Sequence, residues 1–259
     1  MSGPPMLITV DDAAAAARAT AELVITSAID AVKKRGVFHL CTTGGSTPAA
    51  LYAVLREEGN VHRMPWSNTE IWFGDERLVP RTNPLSNLAA IDSVLLGRAM
   101  DGAPSPISPR GIHPWPTDQG VPAVDAYLSA LQNSGVEHTV AGVPVFDLVL
   151  IGIGGDTHCL SVFPGSPLTA ADAPVAAAAP APTHIEPHVP RLTFSLRILS
   201  AARAVCATVV GKGKSAALAR ILEGVGSTTE LPAKAALLPT ATWILDRAAA
   251  SGLRATTER

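Results

Sequence analysis

The residues best suited to chemistry in this sequence are Asp156 and His158, which follow an apolar run and a glycine-rich turn. Residues 146–151 (FDLVLI) are typical of a central strand that is covered on both faces of a sheet. Residues 152–155 (GIGG) then allow the backbone to turn sharply and to approach a ligand closely. Because open α/β sheets bind ligands at the carboxyl ends of their strands, the pattern predicts a ligand site here. The alternative is that Asp156 caps a turn and His158 is an ordinary loop residue.

A second glycine turn predicts an anion site. Residues 37–41 are typical of a strand and residues 49–58 of an amphipathic helix, and the turn between them contains Gly44, Gly45, Ser46 and Thr47. Uncovered backbone N–H groups, two hydroxyls and the positive end of a helix dipole favour a bound phosphate. The turn has neither the lysine of the nucleotide-binding P-loop nor the Gly-x-Gly-x-x-Gly spacing of a dinucleotide fold. A capped helix start is the alternative.

A charged cluster follows the next predicted strand, residues 69–73. Arg77 has the planar fork of donors that binds a phosphate or a carboxylate. Asp75 and Glu76 are expected either to hold this arginine or to contact sugar hydroxyls. The alternative for the whole cluster is a solvated turn with an ion pair.

Two further strands bring cations to the same region. Arg191 stands at the entry of a predicted strand over residues 191–196. Lys212 and Lys214 lie in a glycine turn between a strand at residues 204–210 and a helix that begins at residue 215. The arginine and the lysines are candidate phosphate ligands, and the sequence leaves open which lysine faces the ligand.

The remaining segments alternate between helix and strand. The sequence predicts helices that end at Gly36, that begin near Ser86, and that span residues 123–132, and a late strand at residues 242–246. These elements predict a single α/β domain over residues 1–259, with a doubly wound, mostly parallel sheet in a Rossmann-like three-layer arrangement.

Two stretches are expected to lack regular structure. Prolines and glycines interrupt residues 100–121, which predicts a long surface connection with His113 as a loop histidine. Residues 173–190 are rich in alanine and proline, which predicts a flexible flap or a connector. His184 and His188 lie in this second stretch without a metal-ligand pattern, so a metal site is not favoured.

Composition excludes several classes of protein. The 259 residues have a formal net charge of −2, which gives no general reason to expect a nucleic-acid partner. No stretch approaches the length of an apolar membrane span, so neither a membrane partner nor a membrane location is expected. The three cysteines form no CxxC pair, which predicts neither a disulfide framework nor a zinc site. We therefore expect a soluble cytoplasmic protein.

Taken together, the motifs resemble those of the 6-phosphogluconolactonases, and the resemblance extends over nearly the whole chain. The matching motifs are residues 43–48 (TGGSTP), 72–80 (WFGDERLVP) with 86–87 (SN), 152–158 (GIGGDTH) with 161–165 (SVFPG), and 190–193 (PRLT) with Gly211 and Lys214. The resemblance implies the fold of glucosamine-6-phosphate deaminase and the hydrolysis of 6-phospho-D-glucono-1,5-lactone. It implies a small sugar phosphate as the partner and no cofactor. We also expect no metal, and a monomer or a weak homodimer.

The resemblance also implies roles for the candidate residues. His158 would deprotonate the attacking water and then protonate the departing ring oxygen, because its ordinary pKa lies near working pH. Asp156 would orient the imidazole or bind a sugar hydroxyl. The 6-phosphate would be held by residues 44–47 together with Arg77, Arg191 and Lys214.

One residue departs from the family pattern. Thr157 stands where the family usually has glycine, and a β-branched residue there is strained if the backbone takes a positive φ. Two other functions stay open. A deaminase-isomerase on the same fold would use Asp75 to move a proton between C1 and C2, and a regulator would bind sugar phosphates without catalysis.

Overall fold

The computed structural model of the protein describes residues 3–97 and 104–254. The strands, in chain order, are β1 (Met6–Val10), β2 (Phe38–Thr42), β3 (Thr69–Phe73), β4 (Asp75–Arg77), β5 (Ile112–His113), β6 (Glu137–His138), β7 (Pro144–Val145), β8 (Leu148–Ile151), β9 (Ala176–Ala179), β10 (Arg191–Phe194), β11 (Val205–Val209) and β12 (Ala241–Asp246). The helices are α1 (Ala13–Arg35), α2 (Ser46–Leu55), α3 (Glu58–Val61), α4 (Leu88–Ala90), α5 (Ala123–Gln132), α6 (Arg197–Ala201), α7 (Ser215–Glu223) and α8 (Arg247–Ala250). A π-helical segment, Ile91–Leu95, continues α4.

A seven-stranded sheet forms the centre of the molecule, in the order β1-β12-β11-β8-β2-β3-β5. All neighbouring strands in it run parallel. Every residue of β2, β8 and β11 is buried, as expected for strands covered on both faces. The predicted α/β fold with a mostly parallel sheet is therefore confirmed.

Local signals in the sequence determine where the long helix α1 begins and ends. Asp12 accepts a hydrogen bond from the Ala15 N–H at 2.7 Å and so caps the first turn. Lys33, Lys34 and Arg35 lie in the last turn, where positive charge favours the helix dipole. Gly36 ends the helix at φ 81°, as predicted, and its N–H bonds the Val32 carbonyl.

A small antiparallel sheet in the order β4-β10-β9 lies outside the central one. The alternative of a solvated turn at residues 75–77 does not hold, because these residues form β4. The prediction of irregular structure over residues 173–190 was wrong for four residues, which form β9. Both strands form by pairing with β10, β4 across more than 100 positions and β9 across the intervening residues 180–190. Neither segment has an alternating apolar pattern of its own that would predict a strand.

The expected surface connection also contains regular structure. His113 belongs to β5 at the edge of the central sheet, so its assignment to a loop was wrong. Its ring stacks on Trp72 at a centroid distance of 4.0 Å, and its Nε2 lies 2.5 Å from a carboxylate oxygen of Glu70. Residues 100–103 of this predicted connection lie outside the described residues.

Large aromatic side chains fill the core around the central sheet. Trp72, Trp243, Tyr127 and Phe146 are fully buried. The Tyr127 hydroxyl accepts a hydrogen bond from the Phe73 N–H at 2.8 Å, which satisfies its polar atom inside the core. Within residues 3–97 and 104–254, no helix combines the length and the apolarity needed to cross a bilayer.

Candidate active site

A cleft of about 340 Å³ lies at the carboxyl ends of β2, β3, β8 and β11. The sequence-predicted residues that line it are Gly44, Gly45, Ser46, Thr47, Asp75, Arg77, His158, Arg191 and Lys214. Asp156 adjoins the cleft through its hydrogen bond to His158. Of the two candidate lysines, Lys214 lines the cleft and Lys212 does not. The fold thus brings together residues that are spread over more than half of the chain.

Asp156 and His158 form a hydrogen-bonded pair. The Oδ1 atom of Asp156 lies 2.5 Å from Nδ1 of His158 and 3.2 Å from the His158 backbone nitrogen. A carboxylate only accepts hydrogen bonds, so Nδ1 carries the ring proton and the Nε2 atom of a neutral imidazole is left as a proton acceptor. This is the arrangement that a general base requires.

The turn that carries this pair is built around Gly154 and Thr157. The Gly154 N–H bonds the His158 carbonyl at 2.8 Å, and the Thr157 N–H bonds the Gly154 carbonyl at 3.0 Å. A Cβ atom at Gly154 would overlap His158 Nδ1 and Asp156 Oδ1. Only glycine at position 154 leaves room for the imidazole and the carboxylate to meet.

Thr157 takes the left-handed conformation that the sequence analysis named as a source of strain. Its φ is 79°, its side chain is fully buried, and its Oγ1 has no hydrogen-bond partner. The backbone of Thr157 still stabilises the turn, since its carbonyl accepts a hydrogen bond from the Ala233 N–H at 3.1 Å. A β-branched residue with positive φ and an unpaired buried hydroxyl raises the energy of this turn.

The surroundings of Asp156 stabilise its charged form. Burial acts to raise the pKa of this carboxyl, but hydrogen bonds from His158 and His184 and the charge of His158 lower the pKa well below its ordinary value. His184 reaches Asp156 from the segment that precedes β10, with Nε2 2.7 Å from Oδ2. The sequence analysis missed this contact, because nothing in a proline-rich stretch indicates a partner 28 positions away.

Arg77 and Arg191 form a pair of like charges without a counter-ion in direct contact. They are cross-strand neighbours in the pairing of β4 with β10. Burial and the nearby charge of Arg77 lower the pKa of Arg191. Each guanidinium has one hydrogen bond to a carbonyl, Arg77 to Leu85 at 2.6 Å and Arg191 to Pro187 at 2.8 Å. The Nε atom of each is buried without a partner.

The Arg77–Arg191 pair is energetically unfavourable unless an anion binds to it. Like charges that face each other across a strand pair repel, and buried donors without acceptors cost free energy. Among the described residues, no carboxylate lies within salt-bridge distance of Arg77 or Arg191. Two guanidiniums with unused donors at one cleft are therefore suited to an anion with several oxygen acceptors.

The start of α2 adds backbone donors to the same cleft. Gly45 precedes the helix with φ 103° and ψ −173°, a conformation that requires glycine. A Cβ atom at Gly44 would overlap the side chain and backbone of Asn87, so the turn packs tightly on the segment before α4. Ser46 and Thr47 then begin the helix, where N–H groups have no intrahelical partner.

Among the described residues, Asp75 and Glu76 form no hydrogen bond or ion pair with an arginine side chain. Asp75 accepts from the Ser161 hydroxyl at 2.6 Å and from the Asn87 amide at 3.2 Å. Glu76 accepts from the Ser86 hydroxyl and from two backbone N–H groups, and burial raises its pKa. Asp75 lines the cleft, whereas Glu76 contributes by fixing the loop that carries Asn87. The sequence analysis did not identify the support from Ser161, because that residue lies on a distant loop.

No group of three or more His, Cys, Asp or Glu side chains in the described ranges is arranged to hold a metal ion. The three cysteines are buried, and burial raises the pKa of each thiol. The Asp156–His158 pair is suited to acid-base chemistry, and it lies beside the cations Arg77, Arg191 and Lys214.

The fold and the site define an α/β protein with a ligand cleft at the carboxyl edge of a parallel sheet, where an Asp-His pair and two arginines meet. Comparisons with known proteins identify its family. The chain belongs to the family described as glucosamine-6-phosphate isomerases/6-phosphogluconolactonase, whose model matches residues 11–244.

Relatives cover almost the whole chain. A 6-phosphogluconolactonase of Streptomyces coelicolor is 32% identical over 98% of this chain and 96% of its own length. One of Synechocystis is 32% identical over 89% of this chain and 91% of its own length. The solved 6-phosphogluconolactonase of Trypanosoma cruzi superposes with a TM-score of 0.82 at 25% identity and covers 98% of both chains. A monomeric glucosamine-6-phosphate deaminase superposes with a TM-score of 0.75 at 19% identity over 95% of this chain and 99% of its own, which shows a shared fold.

Proposed function

We propose that this protein hydrolyses 6-phospho-D-glucono-1,5-lactone to 6-phospho-D-gluconate. The family and the names of the relatives support this reaction. The observation that carries the proposal is the presence, in one cleft, of an Asp-His pair and of two guanidiniums whose Nε atoms are buried without a partner. The first is suited to opening an activated ester, and the second to holding the phosphate of the same molecule.

The phosphate group would take the place of the missing counter-ion of Arg77 and Arg191. Its oxygens accept from the guanidinium donors, from the free N–H groups at the start of α2, and from Lys214. A hydrogen bond to a charged group contributes about 1.5–3 kcal/mol. Binding free energy from this remote group would fix the lactone carbonyl beside His158.

His158 would act first as a base and then as an acid. Its Nε2 takes a proton from water as the water oxygen attacks C1, and the bond between C1 and the ring oxygen then breaks. The imidazolium returns the proton to the departing ring oxygen, so one group serves both steps. Backbone N–H groups of the glycine-rich turns would stabilise the oxyanion at C1.

Asp156 would keep His158 in the required tautomer and orientation. Because its pKa is lowered, the carboxyl is ionised throughout the neutral range and stabilises the imidazolium that forms during attack. We therefore propose Asp156 as an orienting group rather than as a ligand of a sugar hydroxyl.

A deaminase-isomerase reaction is the other activity considered for this fold, and it needs a carboxylate free to move a proton. Asp75 is the candidate, but its oxygens accept from Ser161, Asn87 and, at 3.4 Å, the Thr43 hydroxyl. These bonds favour a carboxylate that positions loops. Release of ammonia from glucosamine 6-phosphate would decide for the deaminase.

The test is a coupled assay with freshly generated 6-phosphogluconolactone, corrected for spontaneous hydrolysis. We expect the protein to accelerate lactone opening strongly and to release no ammonia from glucosamine 6-phosphate. Binding of 6-phosphogluconate without any acceleration of lactone opening would instead identify a sugar-phosphate-binding regulator.

A further inference from the structure

The segment of residues 180–190, here named the strap, connects β9 to β10 and contacts both halves of the cleft. It leads directly into Arg191 at the start of β10. Its Pro187 carbonyl accepts from Arg191 Nη2 at 2.8 Å, and its Pro190 carbonyl accepts from the Leu78 N–H at 2.8 Å. Ile185 and Glu186 of the strap line the cleft. The strap is therefore part of the wall beside the arginine pair.

Among the described residues, His184 is the side chain through which the strap bonds the Asp-His pair. His184 Nε2 lies 2.7 Å from Asp156 Oδ2, while the other oxygen of the same carboxylate is bonded to His158. Phe163 packs between the two imidazoles, with ring centroids 4.6 Å from His158 and 5.6 Å from His184. One carboxylate thus has an imidazole at each oxygen, one from its own turn and one from the strap.

The two histidines of the strap differ in what they contact. Both side chains are about half exposed. Within the described part of the chain, the hydrogen-bond partners of the His188 side chain belong to the strap, namely the Pro182 carbonyl at 2.7 Å and Glu186. Its contacts stabilise the strap itself, whereas the contact of His184 with Asp156 joins the strap to the turn of the candidate base.

We infer that His184 is a positioning residue, which holds Asp156 in line with His158 and fixes the strap over the cleft. The inference rests on the proposed function, because it assigns His158 as the base. An Asp156 side chain that is bonded at both oxygens has one orientation, and a misplaced orienting group lowers the rate even when no reacting atom is touched. The sequence offers no sign of this role.

Removal of His184 should also change the titration of His158. The charged groups around His158 are Asp156 of its own turn, His184 and Glu186 of the strap, and, lining the same cleft, Asp75, Arg77, Arg191 and Lys214. Without His184, the negative charge of Asp156 is shared with fewer donors and acts more strongly on the His158 imidazolium. Because an opposite charge favours the charged form, the pKa of His158 should rise.

The experiment compares wild type, His184→Ala, His184→Gln and His188→Ala. We expect His184→Ala to lower kcat about tenfold, with a smaller effect on KM, and to move the acid limb of the pH profile of kcat/KM to higher pH. His184→Gln should recover most of the loss, because its amide can donate to Asp156 as Nε2 does. His188→Ala should stay within about twofold of wild type in kcat, since it does not contact the Asp-His pair.

Three results would overturn the inference: a wild-type kcat and an unmoved acid limb in His184→Ala, a glutamine variant no better than alanine, or an equal loss in His188→Ala. NMR titration of the His158 ring nitrogens without substrate separates this inference from the proposed function. A raised pKa of His158 in His184→Ala supports the contact even if no lactone is hydrolysed, and an unchanged pKa counts against it.

Discussion

The two ends of the central sheet differ in how their buried charges are paired. At the amino ends of the strands, Asp147 accepts from Arg35 at 2.7 Å, from Arg203 at 3.3 Å and from the His39 N–H at 2.8 Å. At the carboxyl ends, Arg77 and Arg191 have each other as neighbours and keep buried donors without partners. Asp147 directly precedes β8 of the central sheet, whereas Arg77 and Arg191 belong to the small sheet β4-β10-β9 beside the carboxyl ends.

The difference is between charges that are paired within the chain and charges that have no counter-ion among the described residues. The Asp147 carboxylate is paired with Arg35 and Arg203 within the chain, so we expect it to contribute to the stability of the fold. The arginine pair is unsatisfied within the described residues, so a bound anion would supply the missing acceptors. An unpaired buried cation is thus a better sign of a binding site than the presence of charge alone.

The largest effect should come from His158, at the carboxyl end. We expect His158→Ala to lower kcat by about 10²- to 10⁴-fold, because general acid-base catalysis contributes in this range. The affinity for 6-phosphogluconate should stay within about threefold, since the arginines are unchanged. Steady-state kinetics and calorimetry measure the two quantities, and a near-normal kcat would remove His158 from the mechanism.

Substitution of one arginine at each end, in two separate variants, tests the comparison directly. Arg191→Gln should weaken binding of 6-phosphogluconate about 10- to 100-fold, as expected for the loss of charged hydrogen bonds, and should change the free energy of unfolding by less than about 1 kcal/mol. The matched variant Arg203→Gln should leave the affinity unchanged. Equal affinities in both variants would show that the two ends do not differ as described.

Asp147→Asn should have the opposite effect to Arg191→Gln, because it should lower stability and leave ligand binding unchanged. It removes the charge that Arg35 and Arg203 share, so the free energy of unfolding should fall by about 2 kcal/mol. Urea denaturation measures this loss. The kcat and the affinity for 6-phosphogluconate should match wild type at a temperature where the variant is folded, and a selective loss of binding would contradict a purely structural role.

The smallest effect concerns Thr157, the strained residue at the carboxyl end. Thr157→Gly should raise the free energy of unfolding by about 1 kcal/mol, because glycine takes a positive φ freely and leaves no unpaired hydroxyl. As a control, Thr69 is a buried threonine at φ −107°, and Thr69→Gly should lower stability. If thermal unfolding shows both variants equally destabilised, the turn at position 157 is not strained.

The sequence alone predicts the cleft at the carboxyl ends of the central strands. The strands β3 and β11 and the turns that follow them carry local signals, namely apolar runs that stop at glycine or at charge. Those signals predict the parallel sheet and the carboxyl-edge cleft. The motifs also supply most members of the site, because residues 44–47, Asp75, His158 and Lys214 follow strands whose carboxyl ends reach the same edge. Arg191 differs, because it begins β10 in the small antiparallel sheet.

Contacts between distant segments were beyond such reasoning. The pairing of β4 with β10 places Arg77 opposite Arg191, and the approach of the strap places His184 on Asp156. The strand pairing and the His184 contact both join segments that are distant in sequence. Such tertiary contacts produce no periodic pattern of apolar residues in either segment. For the same reason the sequence does not reveal that Asp147, a polar interruption in an apolar run, is fully paired.

The most direct test of the account compares two lactones that differ only in the phosphate. The kcat/KM for 6-phosphogluconolactone and for unphosphorylated glucono-1,5-lactone would be measured in wild type and in Arg191→Gln, with correction for spontaneous hydrolysis. The account predicts a strong preference of the wild type for the phosphorylated lactone, and a preference reduced about 10- to 100-fold in Arg191→Gln. Equal rates for the two lactones in the wild type, or an unchanged preference in the variant, would contradict it.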